Sequence, residues 1–324
     1  MRAASPVVRG GGSGIVDLTM TPEELLRAGK LDDCLTAVEK LVRGNPADAK
    51  LRVLLFQVLA VMGQWDRAQT QLQVAAGMNQ ANILMAQVCK QAILCEHLRN
   101  EVWSGKRTPL VLGEPEQWVG WVIQAQAMNA AGNHAAAAEL RARAFEEAPA
   151  VAGTIVAGEN QKPQPFEWIA DADERLGPIL EAVVDGKYYW IPMHRIGLMR
   201  VDKPADLRDT VWLPVSFVWT AGGTSVGLIP VRYPGSELPK HEAAVRMARK
   251  TDFIDEGGFQ YPVGQRLLAT DAGEFGLMEV RSIRLGEGDL NPLAETSGNT
   301  TAMGIDSSMK PGAPVGGTPG GGHG

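Results

Sequence analysis

The sequence predicts an α+β fold in two parts, a tetratricopeptide-like all-α solenoid followed by a β-rich α+β domain. Three observations lead to this prediction: a helical spacing of apolar residues in the first half, a glycine-containing motif that repeats there, and glycine turns between β-prone segments in the second half. The chain has 324 residues, of which 45% are hydrophobic and 21% are charged. That composition is globular, and the length exceeds what one hydrophobic core usually serves.

Residues 19–149 have the pattern of a helical domain. Thr21 is followed by Pro22 and two glutamates, which is typical of a helix start because the hydroxyl caps free N–H groups and proline fits the first turn. Further along, apolar residues recur at the i, i+3, i+4 and i+7 spacing that places them on one buried helix face. This stripe comprises Leu51, Leu54, Leu55, Val58 and Leu59.

A short motif with a glycine, a bulky residue and a small residue occurs three times in this half. Its glycines are Gly29, Gly63 and Gly132, and Gly63 follows Gly29 by 34 residues, the period of a tetratricopeptide repeat. Gly132 follows Gly63 by 69 residues, nearly two periods, so a degenerate unit is expected between them. Glycine permits a tight turn between two helices, and stacked helix pairs form a solenoid whose concave face commonly binds a peptide.

Strand signals replace the helical pattern after Pro149. Residues 150–165 are rich in glycine, proline and polar residues and are expected to form a linker, with the β-rich domain over 166–290. Asp185 and Gly186 lie between two β-prone runs and predict a hairpin with a two-residue turn. The other expected elements are a hairpin around 221–224, a short helix near 243–250 and closing strands around 271–273.

The two ends of the chain, residues 1–18 and 291–324, are rich in glycine, serine, proline and threonine and are expected to be disordered. The N-terminus lacks the apolar stretch of a secretory signal, and no run approaches the roughly 18–20 apolar residues of a membrane span. The net charge of −6 argues against a nucleic-acid partner. We therefore expect a cytoplasmic protein without membrane insertion, with Cys34, Cys89 and Cys95 as buried free thiols.

Successive blocks of the second half resemble the ImpE family. They are FEWIADADERLGPILEA, DLRDTVWLPVSF, GLIPVRYPGSE, MARKTDF and GQRLLATDAGEFGLMEVRSI, in this order between Phe166 and Leu285. Members of that family, also called TagJ or SciE-type proteins, accompany bacterial type VI secretion systems. The resemblance implies a non-catalytic adaptor that binds a helix near the N-terminus of the small, TssB-type sheath subunit. It also implies an effect on sheath assembly or on recycling by a ClpV-type unfoldase.

Two alternatives to this adaptor function stay open. Asp171 and Asp173 lie beside Arg175, and clustered carboxylates could bind Mg²⁺ or share acid and base roles in a metal-dependent enzyme. Ion pairing with Arg175 is the favoured interpretation, because no other part of the sequence supplies a matching set of ligands. The second alternative is a general peptide-binding scaffold with a partner unrelated to secretion. The glycine-rich segments lack the context of a phosphate loop, so no cofactor is expected.

Candidate partner-binding residues are aromatic or charged side chains, many of them near the junction between the two parts. Tryptophan, tyrosine and arginine are enriched at the hot spots of protein interfaces. An exposed tryptophan near the junction is the preferred contact for a partner helix. The candidates are Trp118, Trp121, Trp168, Asp171, Asp173, Arg175, Arg208, Trp212, Arg232 and Tyr233.

Overall fold

The computed structural model describes residues 20–159 and 162–286. It confirms the predicted fold class, since helices make up the first part and strands make up most of the second. The end segments for which disorder was expected, 1–18 and 291–324, lie outside the described residues, so that expectation stays a prediction.

Within the described residues, the helical part consists of three helix pairs and one longer helix between the second and third pairs. The first helix begins as expected, because the Thr21 hydroxyl accepts a hydrogen bond from the Glu24 N–H and the Glu24 carboxylate accepts one from the Thr21 N–H. The helices are α1 (Pro22–Arg27), α2 (Leu31–Gly44), α3 (Ala49–Val61), α4 (Trp65–Met78), α5 (Ile83–Trp103), α6 (Gln117–Ala130) and α7 (His134–Glu147).

The repeated glycine lies in the turn inside each helix pair. Gly29, Gly63 and Gly132 have φ values of +72°, +68° and +82°, a left-handed conformation that favours glycine. The unit expected to be degenerate is α5, one helix of 21 residues in place of a pair. The small residues of the motif are fully buried, as close helix packing requires, and they are Cys34, Ala68 and Ala137.

A nine-stranded mixed sheet makes up most of the second part, with two smaller sheets beside it. The strands are β1 (Leu110–Val111), β2 (Gly153–Ala157), β3 (Pro163–Phe166), β4 (Ile169–Asp171), β5 (Ile179–Val184), β6 (Lys187–Pro192), β7 (Ile196–Val201), β8 (Trp212–Trp219), β9 (Thr224–Pro230), β10 (Thr251–Glu256), β11 (Phe259–Gly264), β12 (Leu267–Thr270), β13 (Gly273–Gly276) and β14 (Val280–Leu285). The order in the large sheet is β1-β6-β5-β9-β8-β7-β14-β2-β3, while β13-β12-β4 and β10-β11 form the small ones. A short helix, α8 (Ala243–Arg246), follows β9.

The segment 150–165, expected to be a linker, instead contributes β2 and the start of β3 to the large sheet. Ile155 of β2 is fully buried, and β2 pairs with β14 on one side and β3 on the other. The prolines that suggested a linker, Pro163 and Pro165, lie in β3 at the edge of the sheet, where a missing N–H donor is tolerated. The predicted start of the β-rich domain at 166 is therefore too late.

Both predicted hairpins are present. Asp185 and Gly186 join β5 to β6 with φ values of +49° and +70°, as a two-residue turn with positive φ at both positions requires. The second hairpin joins β8 to β9 through Gly222 and Gly223. The short helix is α8, and β12 to β14 are the expected closing strands. The hairpin of β10 and β11 was not predicted.

The helices and the sheet share a hydrophobic core. Trp103 of α5 lies against Trp190 of β6 with ring centroids 5.9 Å apart, and Trp65 of α4 lies against Trp212 of β8 at 5.7 Å. A second cluster of buried apolar side chains lies among the strands. The predicted boundary near Pro149 therefore marks a change of secondary structure and not a gap in the packing.

Candidate functional site

A buried cluster of charged side chains lies where α5 meets the large sheet, and the fully buried Glu181 of β5 is at its centre. Its carboxylate accepts hydrogen bonds from Arg99 Nε at 2.8 Å and Arg99 Nη2 at 2.9 Å, and from Trp103 Nε1 at 2.9 Å. Arg266 and the Tyr188 hydroxyl donate to it as well. Burial by itself would raise the pKa of Glu181, but the two guanidinium groups outweigh it and hold this pKa well below its usual range.

Arg266 connects this centre to Asp171 of β4. The arginine is fully buried and forms ion pairs with both Glu181 and Asp171, while its Nε donates to the carbonyl of Pro230 at 3.1 Å. The Asp171 carboxylate also accepts a hydrogen bond from the Asp173 N–H at 2.8 Å. Burial outweighs the attraction of Arg266 here and raises the pKa of Asp171 to about 6.

Asp173 and Arg175 form the ion pair that the sequence favoured. Arg175 donates from Nε at 2.8 Å and from Nη2 at 2.6 Å to the two carboxylate oxygens of Asp173. The Arg175 guanidinium lies over the ring of Trp103 at 4.7 Å and over that of Tyr261 at 4.2 Å. Because Asp171 and Asp173 are both buried and bound by arginines, their geometry favours a structural role over metal binding or acid–base catalysis.

The buried Arg232 joins the two parts of the chain directly. Its Nη1 donates to the carbonyls of Val61 and Arg246, each at 2.6 Å, and its Nη2 donates to the carbonyl of Ala60 at 3.4 Å. Val61 ends α3, so the cation lies at the helix end where free carbonyls need donors. Burial lowers the pKa of Arg232 from its ordinary value.

Three other candidates lie in the interior or at its border. The indole Nε1 of Trp212 donates to Glu96 at 2.8 Å, and the Tyr233 hydroxyl accepts a hydrogen bond from the Leu267 N–H at 2.9 Å. Arg208 is partly buried and forms ion pairs with Asp206 at 3.1 Å and Asp209 at 3.5 Å. These contacts stabilise the chain itself, so partner contact through these three residues stays a prediction.

The remaining candidate tryptophans differ in exposure. Trp118 is buried and donates to Glu116 at 2.9 Å, while Trp121 is half-buried beneath the guanidinium of Arg143, 4.2 Å from its ring centroid. Trp168 is 42% exposed, between β3 and β4. Of the ten candidates, Trp168 offers the largest apolar surface to a partner.

Sequence reasoning missed Arg99, Glu181 and Arg266, although these residues connect most of the cluster. One signal was present: Glu181 is the single polar residue in the apolar run ILEAVV, and a carboxylate in such a strand requires a buried cation. Arg99 and Arg266 carry no comparable signal, because their sequence neighbours are polar and apolar in mixture.

The three cysteines are buried free thiols, as expected, and burial raises the pKa of Cys89 to about 11. Within residues 20–159 and 162–286, no three His, Cys, Asp or Glu side chains converge in a way that could bind a metal ion. Among the helices of the same ranges, none combines the length and apolar character that crossing a bilayer requires.

Comparison with known proteins extends the resemblance found in the sequence. The family described as ImpE protein matches residues 163–284. A curated relative from Pseudomonas aeruginosa, named type VI secretion system accessory component TagJ, is 48% identical over 267 residues, which cover 82% of this chain and 91% of the relative. The crystal structure of protein VPA1032 from Vibrio parahaemolyticus has the same fold, with a TM-score of 0.72 and 19% identity over 82% of this chain and 98% of that one. With nearly half of the aligned positions identical over most of both sequences, the chain belongs to the ImpE family.

Proposed function

We propose that this chain is a non-catalytic accessory protein of a bacterial type VI secretion system and acts in the cytoplasm. The observation that carries the proposal is the 48% identity with a type VI secretion accessory component over 91% of that relative. The partner in this proposal is a helix near the N-terminus of the small, TssB-type sheath subunit, as the family resemblance implies. Binding would modulate sheath assembly or recycling by a ClpV-type unfoldase.

The buried charges support an adaptor more than an enzyme. Catalytic carboxylates must reach a substrate or a metal ion, and Asp171 and Asp173 are instead buried against Arg266 and Arg175. The pKa of Glu181 is held low by arginines, so this carboxylate stays ionised and is unsuited to donate a proton near neutral pH. The cluster instead connects α5 to the large sheet through Arg99, Trp103 and Glu181.

The packing of α3 restricts where a partner helix can bind. Seven consecutive residues, Leu55–Val61, are buried, because α3 packs against α4 and against the turn that precedes β8. A partner helix that entered the solenoid at α3 would have to displace this part of the chain. We therefore propose that the contact uses the outer surface, with Trp168 as a candidate anchor.

Co-purification with the cognate small sheath subunit tests the proposed function. The full chain should retain the intact subunit and lose it when the N-terminal helix of the subunit is deleted. A subunit carrying the same helix with its residues in scrambled order is the matched control, because it keeps the length and charge. Retention of all three forms to the same extent, or of none, would contradict the proposal.

A further inference from the structure

A cavity of about 180 Å³ lies outside the charged cluster, between the loop after α5, helix α6 and strand β6. Its wall is apolar and includes Val102, Ile123, Ala127 and Trp190. Its rim is the exposed loop that contains Lys106 and Arg107. Pro109 and Thr108 complete this side of the lining.

The volume of the cavity limits its occupant. Pockets for drug-sized ligands and cofactors usually measure about 300–1,000 Å³, whereas an apolar cavity of about 150 Å³ binds benzene. The space beside Trp190 and Ile123 therefore fits one aromatic ring or one branched aliphatic side chain. A nucleotide or a large cofactor exceeds it.

The rim indicates what charge the occupant carries. Lys106 is exposed and makes no ion pair within the described residues, while the adjacent Arg107 pairs with Glu101 at 2.7 Å. The rim therefore has an uncompensated positive charge directly above an apolar wall. Acidic groups on either side of an apolar side chain would complement it.

One polar group beside the cavity also lacks a partner. Gln126 lines the cavity and is buried, and its Nε2 donates to the carbonyl of Trp103 at 2.9 Å. Its Oε1 is buried without a hydrogen-bond donor in the described residues. A buried amide oxygen without a donor is costly, so a ligand that supplies an N–H group here would be stabilised. A peptide has such groups in its main chain.

We propose that this cavity is the docking site for an acidic peptide segment that inserts one bulky apolar side chain next to Trp190. A carboxylate of the segment lies on Lys106, and the apolar side chain fills the space between Val102, Ile123 and Ala127. This inference rests on the proposed adaptor function, because it takes a protein segment as the ligand. It adds a docking surface separate from Trp168, and the chemistry that a segment bound there must have.

The test is calorimetric titration of the full chain with a capped pentapeptide that has one phenylalanine between two pairs of glutamates. We expect binding, with at least a tenfold loss when alanine replaces the phenylalanine, because burial of an aromatic side chain contributes that much or more. A peptide with lysines in place of the glutamates should also bind at least several-fold more weakly.

Two variants of the chain assign the binding to the cavity. Ala127→Leu fills the cavity from an exposed helix position and should weaken binding by about tenfold, and Lys106→Glu should weaken it about fivefold or more. Lys90→Glu is the matched control and should leave binding unchanged. Lys90 is exposed on α5, and the helical rise of 1.5 Å per residue places it about 18 Å from Val102. Circular dichroism confirms that each variant is folded.

Titration with the N-terminal helix of the sheath subunit, run in parallel, separates the two proposals. If the helix binds equally well to the parent chain, Ala127→Leu and Lys106→Glu, the adaptor function stands and the cavity is not its site. If the pentapeptide binds and responds to both variants while the helix does not bind, the cavity inference stands and the sheath partner is wrong. No binding of the pentapeptide at millimolar concentration, or equal binding to all variants, overturns the inference.

Discussion

The guanidinium of Arg232 donates a hydrogen bond to the main-chain carbonyl of Val61 at 2.6 Å, although the two residues are 171 positions apart in the sequence. Val61 is the last residue of α3, and the C-terminal end of a helix carries free carbonyls and partial negative charge. The same nitrogen donates to the carbonyl of Arg246 at the end of α8. One buried cation thus joins a solenoid helix to the segment that follows β9.

Arg232→Met should destabilise the protein strongly. The change leaves the carbonyls of Val61 and Arg246 buried without this donor, and we expect the free energy of unfolding to fall by about 2–4 kcal/mol. Urea unfolding followed by tryptophan fluorescence measures the effect. Arg249→Met is the control, because exposed Arg249 donates to the carbonyls at the end of α1 and its loss should cost less than about 1 kcal/mol. Equal effects of the two changes would contradict this account of Arg232.

Glu181→Gln should be among the most destabilising single changes. It removes the charge that compensates Arg99 and Arg266 in the interior, and breaking a buried ion pair on one side costs about 3–5 kcal/mol. Chemical unfolding at pH 7 gives the value. The control is Glu101→Gln, which removes an exposed partner of Arg107 and should change stability by less than about 1 kcal/mol. A loss of similar size in both variants would show that the cluster does not depend on Glu181.

Asp171 should make stability depend on pH in the opposite sense to an ordinary paired carboxylate. Burial raises its pKa from an ordinary 3.8 to about 6 in the folded protein, so the folded state binds the proton more tightly than the unfolded state. The contribution of Asp171 to the free energy of unfolding is therefore largest below pH 4 and falls, by about 1–3 kcal/mol, as the pH rises to 6.

Unfolding of the parent chain and of Asp171→Asn at pH 4.5, 5.5 and 7 checks this sign. The stability of the variant relative to the parent should rise with pH over this window, because asparagine has no proton to lose. Glu181 is present in both chains and its pKa is held well below its usual range in the folded state, so its own titration should cancel in this comparison. A constant difference between parent and variant would contradict the raised pKa of Asp171.

Two repeat glycines should differ in their tolerance of alanine. Gly63 and Gly132 both have positive φ, so alanine strains the backbone at either position by about 1 kcal/mol. At Gly63 the added methyl group would also overlap the side chain of Glu237, whereas at Gly132 nothing lies within 4 Å. Thermal unfolding should therefore show a loss about 1 kcal/mol larger for Gly63→Ala than for Gly132→Ala. The reverse order would mean that Glu237 does not pack on this turn.

Trp168→Ala should affect binding more than folding. The side chain is 42% exposed, so its removal should change the free energy of unfolding by about 1 kcal/mol or less. If Trp168 anchors the partner helix, the dissociation constant for the sheath peptide should rise by about tenfold or more. Trp219→Ala, at a half-buried tryptophan of β8 that is not among the candidates, is the control for loss of an indole elsewhere. An unchanged dissociation constant in Trp168→Ala would exclude this residue as the anchor.

The features that the sequence predicted well are governed by neighbouring residues. The start of α1 follows from the Thr21 hydroxyl and Glu24, and the hairpin between β5 and β6 follows from the positive φ that Asp185 and Gly186 accept. The repeat glycines were found for the same reason, since each one permits a turn within its own helix pair. Such features need no knowledge of the rest of the fold.

The features that the sequence did not predict depend on distant partners. β2 is a strand because it pairs with β14, more than a hundred residues later, and its own glycine-rich surroundings indicated a linker. The Glu181 cluster needs Arg99 from α5 and Arg266 from the segment before β12, which are 82 and 85 residues away. For this reason the sequence predicted aromatic and charged residues as partner contacts, although most of these side chains lie in the interior and contact other parts of the chain.

The central claim, that this chain is an adaptor for a sheath helix, is tested most directly by calorimetry. The purified full chain is titrated at several temperatures with a peptide that covers the N-terminal helix of the cognate small sheath subunit. The account predicts a micromolar or tighter dissociation constant with a negative heat-capacity change, the signature of burying an apolar helix face. Absence of any heat of binding at every temperature, with the helix peptide folded and the chain native, would contradict it.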